Sequence, residues 1–458
     1  MSIAEIPVSP THAAGASPYE TFVNPQWVRL LDLLEMNLSY ERCAGAELFA
    51  ARGRVILDFL SGYCVYNTGH NHPKIIEALQ EELERCGPSM LQSHVPQLAG
   101  ELAQRLCELA GGGLTKVFFP STGSEGLETT IKFSRAHTRR DGLLSCRGGF
   151  HGLTCGPLSL MENPYWKDGF GSFLPGTEAI EFGDLDTLRT RLATRKFAAF
   201  IIEPVQAEAG IRVPSREYMK EAQTLCSKYG TLFVLDEVQT GMYRTGTFLA
   251  AHQLGVEPDI VILAKALSGG LVPCAAVLMK EEIYRSVFSS VNRAFVHAST
   301  FSENSLAMRA GLATLDVLEE ERLGERATRM GEFLRTRLRE SLLNYEMIRE
   351  VHGMGLLCGI EFQKPAKMSL RIPFEAFRSL HAGVFGQMLV MRLFRAENVL
   401  TQICGNNFMV LKAAPPLVVT EEQIERFVGA VTNVVETIHS SSAFWSDALH
   451  LAGRAMKM

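Results

Sequence analysis

The chain has 458 residues, of which 47% are apolar and 21% charged, values typical of a folded globular protein. Its formal net charge of −5 gives no electrostatic reason to expect binding to nucleic acid. At roughly 150 residues per domain, two or three domains are expected. The densest apolar run, Phe197–Ile202, is much shorter than a membrane span, so no integral membrane segment is expected.

Neither the first residues nor the cysteines favour export. Residues 1–20 contain Glu5 and three prolines but no basic n-region of a signal peptide, and they are predicted to form a loose arm. The ten cysteines are scattered without a C-x-x-C pair, which favours reduced thiols over disulfides or a zinc site. A cytoplasmic protein without a structural metal is therefore expected.

Apolar periodicity predicts a regular order of elements along the chain. A helix is expected over residues 25–36, short strands over 48–60 and a helix beginning at His72-Pro73. Six short apolar segments then predict strands over 116–119, 143–146, 198–202, 231–235, 259–264 and 274–279. Helices such as 125–139 and 215–229 lie between them. This alternation predicts an α/β domain with a largely parallel sheet.

The pattern changes near residue 320. A long helical stretch is predicted over 308–350, and 355–362, 385–398 and 408–411 then predict a smaller α+β segment. The tail carries apolar residues whose spacing is compatible either with a docked amphipathic helix or with a frayed end: Phe444, Trp445, Leu449 and Leu451.

Two of the predicted strands end in charged residues. Asp236 follows one apolar run and Lys265 follows the next. Open α/β sheets place their ligand sites at the carboxyl ends of strands. Desolvation lowers the pKa of a buried lysine, which suits it to covalent chemistry with carbonyl compounds. Solvated charges or an ion pair would explain either motif alone about equally well.

Together these motifs resemble the class III pyridoxal-phosphate aminotransferases of the ornithine, acetylornithine and putrescine group. The resemblance extends over nearly the whole chain, and the matching segments follow in the family order: 58–76 (DFLSGYCVYNTGHNHPKII), 121–125 (STGSE), 150–152 (FHG), 203–208 (EPVQAE), 236–241 (DEVQTG), 299–301 (STF) and 414–417 (APPL).

The resemblance implies an α/β protein of the PLP-dependent transferase fold type I, with pyridoxal 5′-phosphate as its cofactor. Residues 1–60 would form an N-terminal arm and a segment packing with the small domain. Residues 61–322 would form a large domain with a mainly parallel sheet, and residues 323–458 a smaller α+β C-terminal domain.

The resemblance also implies roles for the residues around the cofactor ring. Lys265 would hold the cofactor covalently and, once displaced by the substrate amine, move the Cα proton. Asp236 would pair with the ring nitrogen, which makes the ring an electron sink. Gln239 would hydrogen-bond the phenolic oxygen, while Val238 and Phe150 would pack on opposite ring faces.

Further cofactor-binding residues are implied at the phosphate and behind the ring. Three residues before a predicted helix match the phosphate loop, although a plain helix cap would explain such a loop on its own: Thr122, Gly123 and Ser124. His151 and Glu203 are assigned to the cofactor site by their motifs. Thr300 would reach the phosphate of the neighbouring subunit, which implies a homodimer with shared active sites.

The chain departs from the family at the expected substrate-binding residues. Glu208 matches a glutamate that pairs with a movable arginine in ornithine-type enzymes, and Tyr63 matches a residue lining the substrate pocket. Leu153 and Lys412 stand where the family carries carboxylate-binding arginines. A substrate carboxylate would therefore be held differently, by Lys412 or by an arginine elsewhere.

These features predict an aminotransferase that moves a terminal amino group between a diamine or ω-amino compound and a 2-oxo acid by a ping-pong mechanism. Alternatives are glutamate- or ornithine-dependent amination of a larger aldehyde in a biosynthetic pathway, such as a lipid or secondary-metabolite pathway, and an aminomutase on the same scaffold. A non-catalytic scaffold protein is disfavoured, because it would not need a strand-end Lys265 together with Asp236, Gln239 and Phe150.

Overall fold

The structure is a computed structural model that describes residues 17–91, 93–380, 382–440 and 444–445. Most of the predicted N-terminal arm (residues 1–16), Leu449 and Leu451 lie outside the described residues. The strands are β1 Tyr40–Ala44, β2 Glu47–Ala50, β3 Arg54–Asp58, β4 Leu114–Phe118, β5 Gly142–Cys146, β6 Thr177–Ile180, β7 Phe197–Ile202, β8 Leu232–Asp236, β9 Ile260–Leu263, β10 Ala276–Lys280, β11 Ile348–Met354, β12 Leu357–Phe362, β13 Val399–Leu400, β14 Gln402–Cys404 and β15 Asn407–Ala413.

The α-helical segments are α1 Pro18–Phe22, α2 Pro25–Leu33, α3 Ser61–Cys64, α4 Pro73–Glu84, α5 Gln97–Ala110, α6 Gly123–Thr138, α7 Cys155–Ser159, α8 Leu185–Ala193, α9 Arg216–Tyr229, α10 Ala250–Leu254, α11 Glu281–Val287, α12 Ser305–Glu320, α13 Leu323–Leu342, α14 Met368–Leu380, α15 Val384–Glu397 and α16 Glu421–Ser440. Among the helices described, none is long and apolar enough to cross a membrane.

The largest sheet has seven strands in the order β4-β10-β9-β8-β7-β5-β6. Strands β6, β5, β7, β8 and β9 are parallel, and β10 runs antiparallel to both β9 and β4. Successive residues of one strand enter different apolar clusters, because side chains alternate between the faces of a sheet: Val234 packs in the cluster with Leu127, and Leu235 in the one with Leu225. Both faces are therefore covered, which confirms the predicted α/β fold with a largely parallel sheet.

Helix boundaries follow local capping signals. Helix α6 begins after Thr122, whose hydroxyl accepts a hydrogen bond from the backbone N–H of Glu125. Helix α9 ends at Gly230, which adopts the left-handed conformation. Both helices lie within two residues of their predicted bounds. Strand β6 and helix α8 were not predicted. Strand β6 gave no signal, because it is a four-residue edge strand without an apolar run.

The predicted helix over 308–350 is wrong in two respects. Arg322 has a φ of +51° and separates α12 from α13. The segment from Ile348 onward is strand β11, which pairs antiparallel with β12. The pairing with β12 overrides the helical pattern there, because Ile348 and Val351 become buried against the core while the two charged residues between them stay exposed.

Two smaller sheets have the orders β11-β12-β15-β14 and β1-β2-β3-β13. In the second, β13 pairs in parallel with β3, which joins the first strands of the chain to a segment some 340 residues later. The division at residues 60 and 322 remains a prediction. Of the tail, Phe444 is buried and packs edge-on against Phe385, which favours docking over fraying for this part of the tail.

Candidate active site

Five strand ends meet at one edge of the large sheet, because β4, β5, β7, β8 and β9 point in the same direction. The residues beyond these ends line a cavity of about 410 Å³. Ten of the residues expected at the cofactor lie in its wall: Thr122, Gly123, Ser124, Phe150, His151, Glu203, Asp236, Val238, Gln239 and Lys265.

Lys265 starts a short 3-10 turn directly after β9 and has a φ of +47°. A non-glycine residue in this conformation costs of order 1–3 kcal/mol, and such strain is concentrated at functional sites. Its Nζ donates a hydrogen bond of 3.2 Å to Oε1 of Gln239. Burial lowers the pKa of Lys265, which increases the fraction of neutral amine able to attack a carbonyl carbon.

Asp236 is buried at the end of β8 and contacts a histidine. Its Oδ2 lies 2.8 Å from Nδ1 of His151. Burial opposes the charged imidazole, but the hydrogen bond and negative charge of Asp236 outweigh it and raise the pKa of His151. The cavity therefore contains a buried Asp236 carboxyl group that already has a hydrogen-bond partner on one side.

Glu203 lies behind the same residues, directly after β7. Its Oε1 accepts a hydrogen bond of 2.9 Å from the backbone N–H of Phe150. Burial raises the pKa of Glu203 to about 7, although the nearby His151 favours its charged form. Glu203 therefore fixes the main chain that carries Phe150 at the cavity.

The amino end of α6 forms another wall of the cavity. The backbone N–H groups of the first turn of a helix have no intrahelical acceptors and, with the helix dipole, favour an anion. The loop 150–153 lies against this end: a Cβ on Gly152, which has a φ of +118°, would be 2.2 Å from Oγ of Ser124. The N–H of Leu153 donates to the same oxygen at 3.3 Å. This end of the cavity is suited to a phosphate group.

Three of the expected substrate residues come together beside the cavity. Lys412 Nζ forms an ion pair with Oε1 of Glu208, and the lysine side chain has no exposed surface. Burial disfavours both charges, but each charge stabilises the other, so the pKa of Lys412 is raised and that of Glu208 is lowered. Nζ also lies 5.1 Å from the ring centroid of Tyr63. The charge of Lys412 is therefore already neutralised within the protein.

Two further predicted residues lie away from this group. Leu153 is the last residue of the loop that packs on α6, and it is 53% exposed. Thr300 lies in the wall of a second cavity, together with Ser299 and His297, and is not brought to the first cavity within one subunit.

Sequence reasoning missed the turn that carries Tyr63. All four residues of α3 have positive φ values, between +46° and +68°. The turn places Sγ of Cys64 3.9 Å from Nε2 of Gln239, next to the acceptor of Lys265. Gly62 is the only local signal of this conformation. Asn406, from the hairpin β14–β15, was missed as well, because Gly405-Asn406 signals only a turn.

The wall of the cavity fits pyridoxal 5′-phosphate. Lys265 would supply an amine of lowered pKa for the aldehyde, Asp236 would offer a buried carboxylate to the ring nitrogen, and the start of α6 would offer donors to the phosphate. Phe150 and Val238 would be the apolar groups for the ring faces. With the seven-stranded sheet, this site defines a PLP-dependent enzyme of fold type I.

Residues 32–435 match the family Aminotransferase class-III. This match covers most of the chain, and the chain belongs to the class III aminotransferase family. It is thus an aminotransferase with pyridoxal phosphate as its cofactor, in agreement with the resemblance drawn from the sequence.

Curated relatives include proteins with different named substrates. A putrescine aminotransferase of Pectobacterium atrosepticum is 33% identical over 93% of this chain and 89% of that protein. An ornithine aminotransferase of Bacillus cereus is 38% identical over 81% of this chain and 88% of that protein. The aminotransferase PigE of Serratia sp. is 31% identical over 92% of this chain, which spans only 53% of PigE.

Solved structures agree in fold. The (S)-enantioselective ω-transaminase of Thermomicrobium roseum superposes with a TM-score of 0.79, at 29% identity, over 93% of this chain and 96% of that chain. The ornithine aminotransferase of Toxoplasma gondii, crystallised with partial occupancy of PLP at its active site, gives a TM-score of 0.77 at 29% identity, over 88% of this chain and 91% of that chain.

Proposed function

We propose that the enzyme transfers a terminal amino group between a diamine or ω-amino compound and a 2-oxo acid by a ping-pong mechanism. The proposal is supported by the small number of cationic side chains at the cavity. Among the described residues that line the cavity, Lys265 is the only lysine or arginine, and nearby Lys412 is neutralised by Glu208. A donor with a carboxylate beside its reacting amino group would lack a free cationic partner in this wall, and the carboxylate of the 2-oxo acid would have to be held by groups outside it. Putrescine and ornithine, named for two relatives, both carry a terminal amine.

The placement of the side chains supports the following mechanism. Bound pyridoxal phosphate supplies the electron sink that permits loss of a proton from the carbon bearing the amino group. Lys265 Nζ is the base that takes this proton and returns it in the reverse direction. Asp236, partnered by His151, holds a proton on the ring nitrogen. Gln239 orients Lys265 Nζ through its amide oxygen.

The test is a half-reaction screen that follows the visible absorbance of the lysine-bound cofactor. Putrescine and ornithine form a matched pair that differs only by the α-carboxylate, and GABA, acetylornithine, cadaverine and glutamate complete the panel. We expect putrescine and cadaverine to react at least about tenfold faster than glutamate, because the α-carboxylate of glutamate would have no cationic partner in the cavity. Lys265→Ala is the control and should abolish both the absorbance and turnover. A strict requirement for an α-carboxylate would overturn the substrate proposal, and full activity of Lys265→Ala would overturn the mechanism.

A second candidate is amination of a larger aldehyde with glutamate or ornithine as donor. It is favoured by exposed apolar side chains next to the cofactor loop: Leu153 ends the loop, and exposed Tyr165 packs on Trp166, which packs on Phe150. A response to glutamate or ornithine alone in the same screen would select this candidate. An aminomutase would consume no 2-oxo acid, so measuring acceptor consumption distinguishes it.

A homodimer with shared active sites is proposed as the working assembly. Around Thr300, the side chains of Val291, Phe295 and Phe301 are between 63% and 91% exposed, an apolar surface suited to a second copy of the chain. Thr300 of one subunit would then bind the cofactor phosphate of the other. Light scattering of the purified enzyme should give twice the chain mass, and a monomer with full activity would exclude shared sites.

A cytoplasmic location is proposed as well. It is supported by the ten cysteines, all of which are free thiols and six of which are buried. Cell fractionation followed by immunodetection tests it, and recovery in an extracytoplasmic fraction would overturn it.

A further inference from the structure

The turn between β14 and β15 contacts the loop that carries Phe150. Asn406 Nδ2 donates a hydrogen bond of 2.9 Å to the carbonyl oxygen of Gly148, and it lies 3.4 Å from that of Gly149. Gly148 and Gly149 directly precede Phe150 and have no side chains with which to fix their own position. Asn406 therefore supplies an anchor for this loop from a segment more than 250 residues away.

The other side of the same amide holds the aromatic neighbour of Phe150. Asn406 Oδ1 accepts hydrogen bonds from Nδ2 of Asn163 at 2.8 Å and from Nε1 of Trp166 at 3.2 Å. Trp166 packs edge-on against Phe150, with ring centroids 5.4 Å apart and an interplanar angle of 77°. The amide thus uses both its donor and its acceptor capacity on groups that contact or precede Phe150.

The backbone of the turn is also fixed. The N–H of Asn406 donates to the carbonyl oxygen of Glu208 at 2.8 Å, and the N–H of Gly405 donates to Oε2 of Glu208 at 2.9 Å. Lys412, on β15 of the same hairpin, binds the other carboxylate oxygen. These contacts with the buried Glu208 fix the backbone of Asn406. The position of the Asn406 side chain is therefore set independently of the loop that carries Phe150.

We propose that Asn406 is a positioning residue of this aminotransferase, which fixes Phe150 for stacking on the cofactor by acting through Gly148 and Trp166. This inference rests on the proposed function only in taking the cavity as the cofactor site. Asn406 does not line that cavity and performs no chemical step.

The test compares cofactor retention in variants of the holoenzyme. Asn406→Ala removes all four contacts of the amide, whereas Asn406→Asp keeps the acceptor for Trp166 but sets a carboxylate against two carbonyl oxygens. Both variants should weaken cofactor binding at least about fivefold, and should change the circular dichroism of the bound cofactor. Asn407→Ala is the matched control, since among the described residues the Asn407 side-chain oxygen accepts a hydrogen bond only from the N–H of Met409, two residues along the same strand.

The two variants also separate positioning from folding. Asn406→Asp preserves volume, so it provides a folded protein should Asn406→Ala fail to fold. A purely structural role would lower the melting temperature and leave the circular dichroism of the bound cofactor unchanged. Wild-type cofactor affinity and dichroism in Asn406→Asp would overturn the proposal, whereas cofactor attachment in Lys265→Ala would instead overturn the proposed function.

Discussion

Lys412 is a fully buried cation, and within the described part of the chain its one carboxylate partner is Glu208. Burial of two charges is unfavourable, and their attraction offsets it only while both are present. The resemblance to the family leads one to expect an arginine at this position, which is longer and can bind a carboxylate bidentately. In this chain the shorter lysine has its charge directed to Glu208 and has no surface exposed to a substrate.

Replacing one residue of the Lys412–Glu208 pair should lower the free energy of unfolding much more than replacing both residues together. Lys412→Ala should lower the free energy of unfolding by about 3–5 kcal/mol, because Glu208 would stay buried without a partner. Replacing both residues, as Lys412→Met with Glu208→Gln, should lower it much less. Denaturant unfolding measures both changes. Lys74→Ala, which removes an exposed ion pair with Glu320, serves as control and should leave the midpoint unchanged.

At the scale of elements, α3 is the least expected feature. Four consecutive residues with positive φ form a left-handed turn, which costs about 1–2 kcal/mol for each non-glycine residue. The side chain of Asp58 stabilises the turn. Its Oδ1 accepts hydrogen bonds of 2.8 Å from the backbone N–H groups of Leu60 and Ser61, and its Oδ2 lies 2.7 Å from Nε2 of His70. This turn places Tyr63 next to Lys412 and Cys64 next to Gln239.

Glycine substitutions test this conformation. Gly62→Ala should reduce the free energy of unfolding by at least about 1–2 kcal/mol, since Gly62 has a φ of +60° and an added Cβ would lie 2.9 Å from the ring of Tyr66. Gly100→Ala is the matched control. Gly100 lies in helix α5 with no atom near its added Cβ, so the change should stabilise by roughly 0.5–1 kcal/mol. Equal effects at the two sites would contradict a left-handed α3.

For the whole molecule, buried titratable groups make stability depend on pH. Burial raises the pKa of Glu203 and that of Glu237 to about 7. The hydrogen bond and charge of Asp236, against the effect of burial, raise that of His151. Each group therefore binds its proton more tightly in the folded than in the unfolded chain. Their stabilising contribution is complete below the unfolded pKa values and is lost as the pH rises through the folded ones.

We therefore expect the free energy of unfolding of the cofactor-free protein to fall between about pH 5 and pH 8. Each group contributes a slope of at most about 1.4 kcal/mol per pH unit where its folded and unfolded protonation differ fully. Denaturant unfolding at several pH values measures the slope. Glu203→Gln should make it shallower, because the amide does not titrate. An unchanged slope in this variant would show that Glu203 ionises normally in the folded protein.

Several parts of the fold and of the site could be predicted because their signals are local. Six of the seven strands of the large sheet are short apolar runs, and they appear within one or two residues of their expected bounds; β6 is the exception. Asp236 and Lys265 end such runs, so the direction of a parallel sheet suffices to bring them to one edge. Strand β11 could not be predicted, because only its pairing with β12 distinguishes it from the helix before it.

The sequence by itself determined the family and the largely parallel sheet, because these depend on short motifs and on alternation along the chain. Only the tertiary structure decided which partners Lys412 and Asn406 have. The partner of Lys412 lies 204 residues away at Glu208, and Asn406 lies 258 residues from Gly148. Such contacts depend on how the sheets pack against one another, and no local pattern encodes the distance between side chains that meet only after folding.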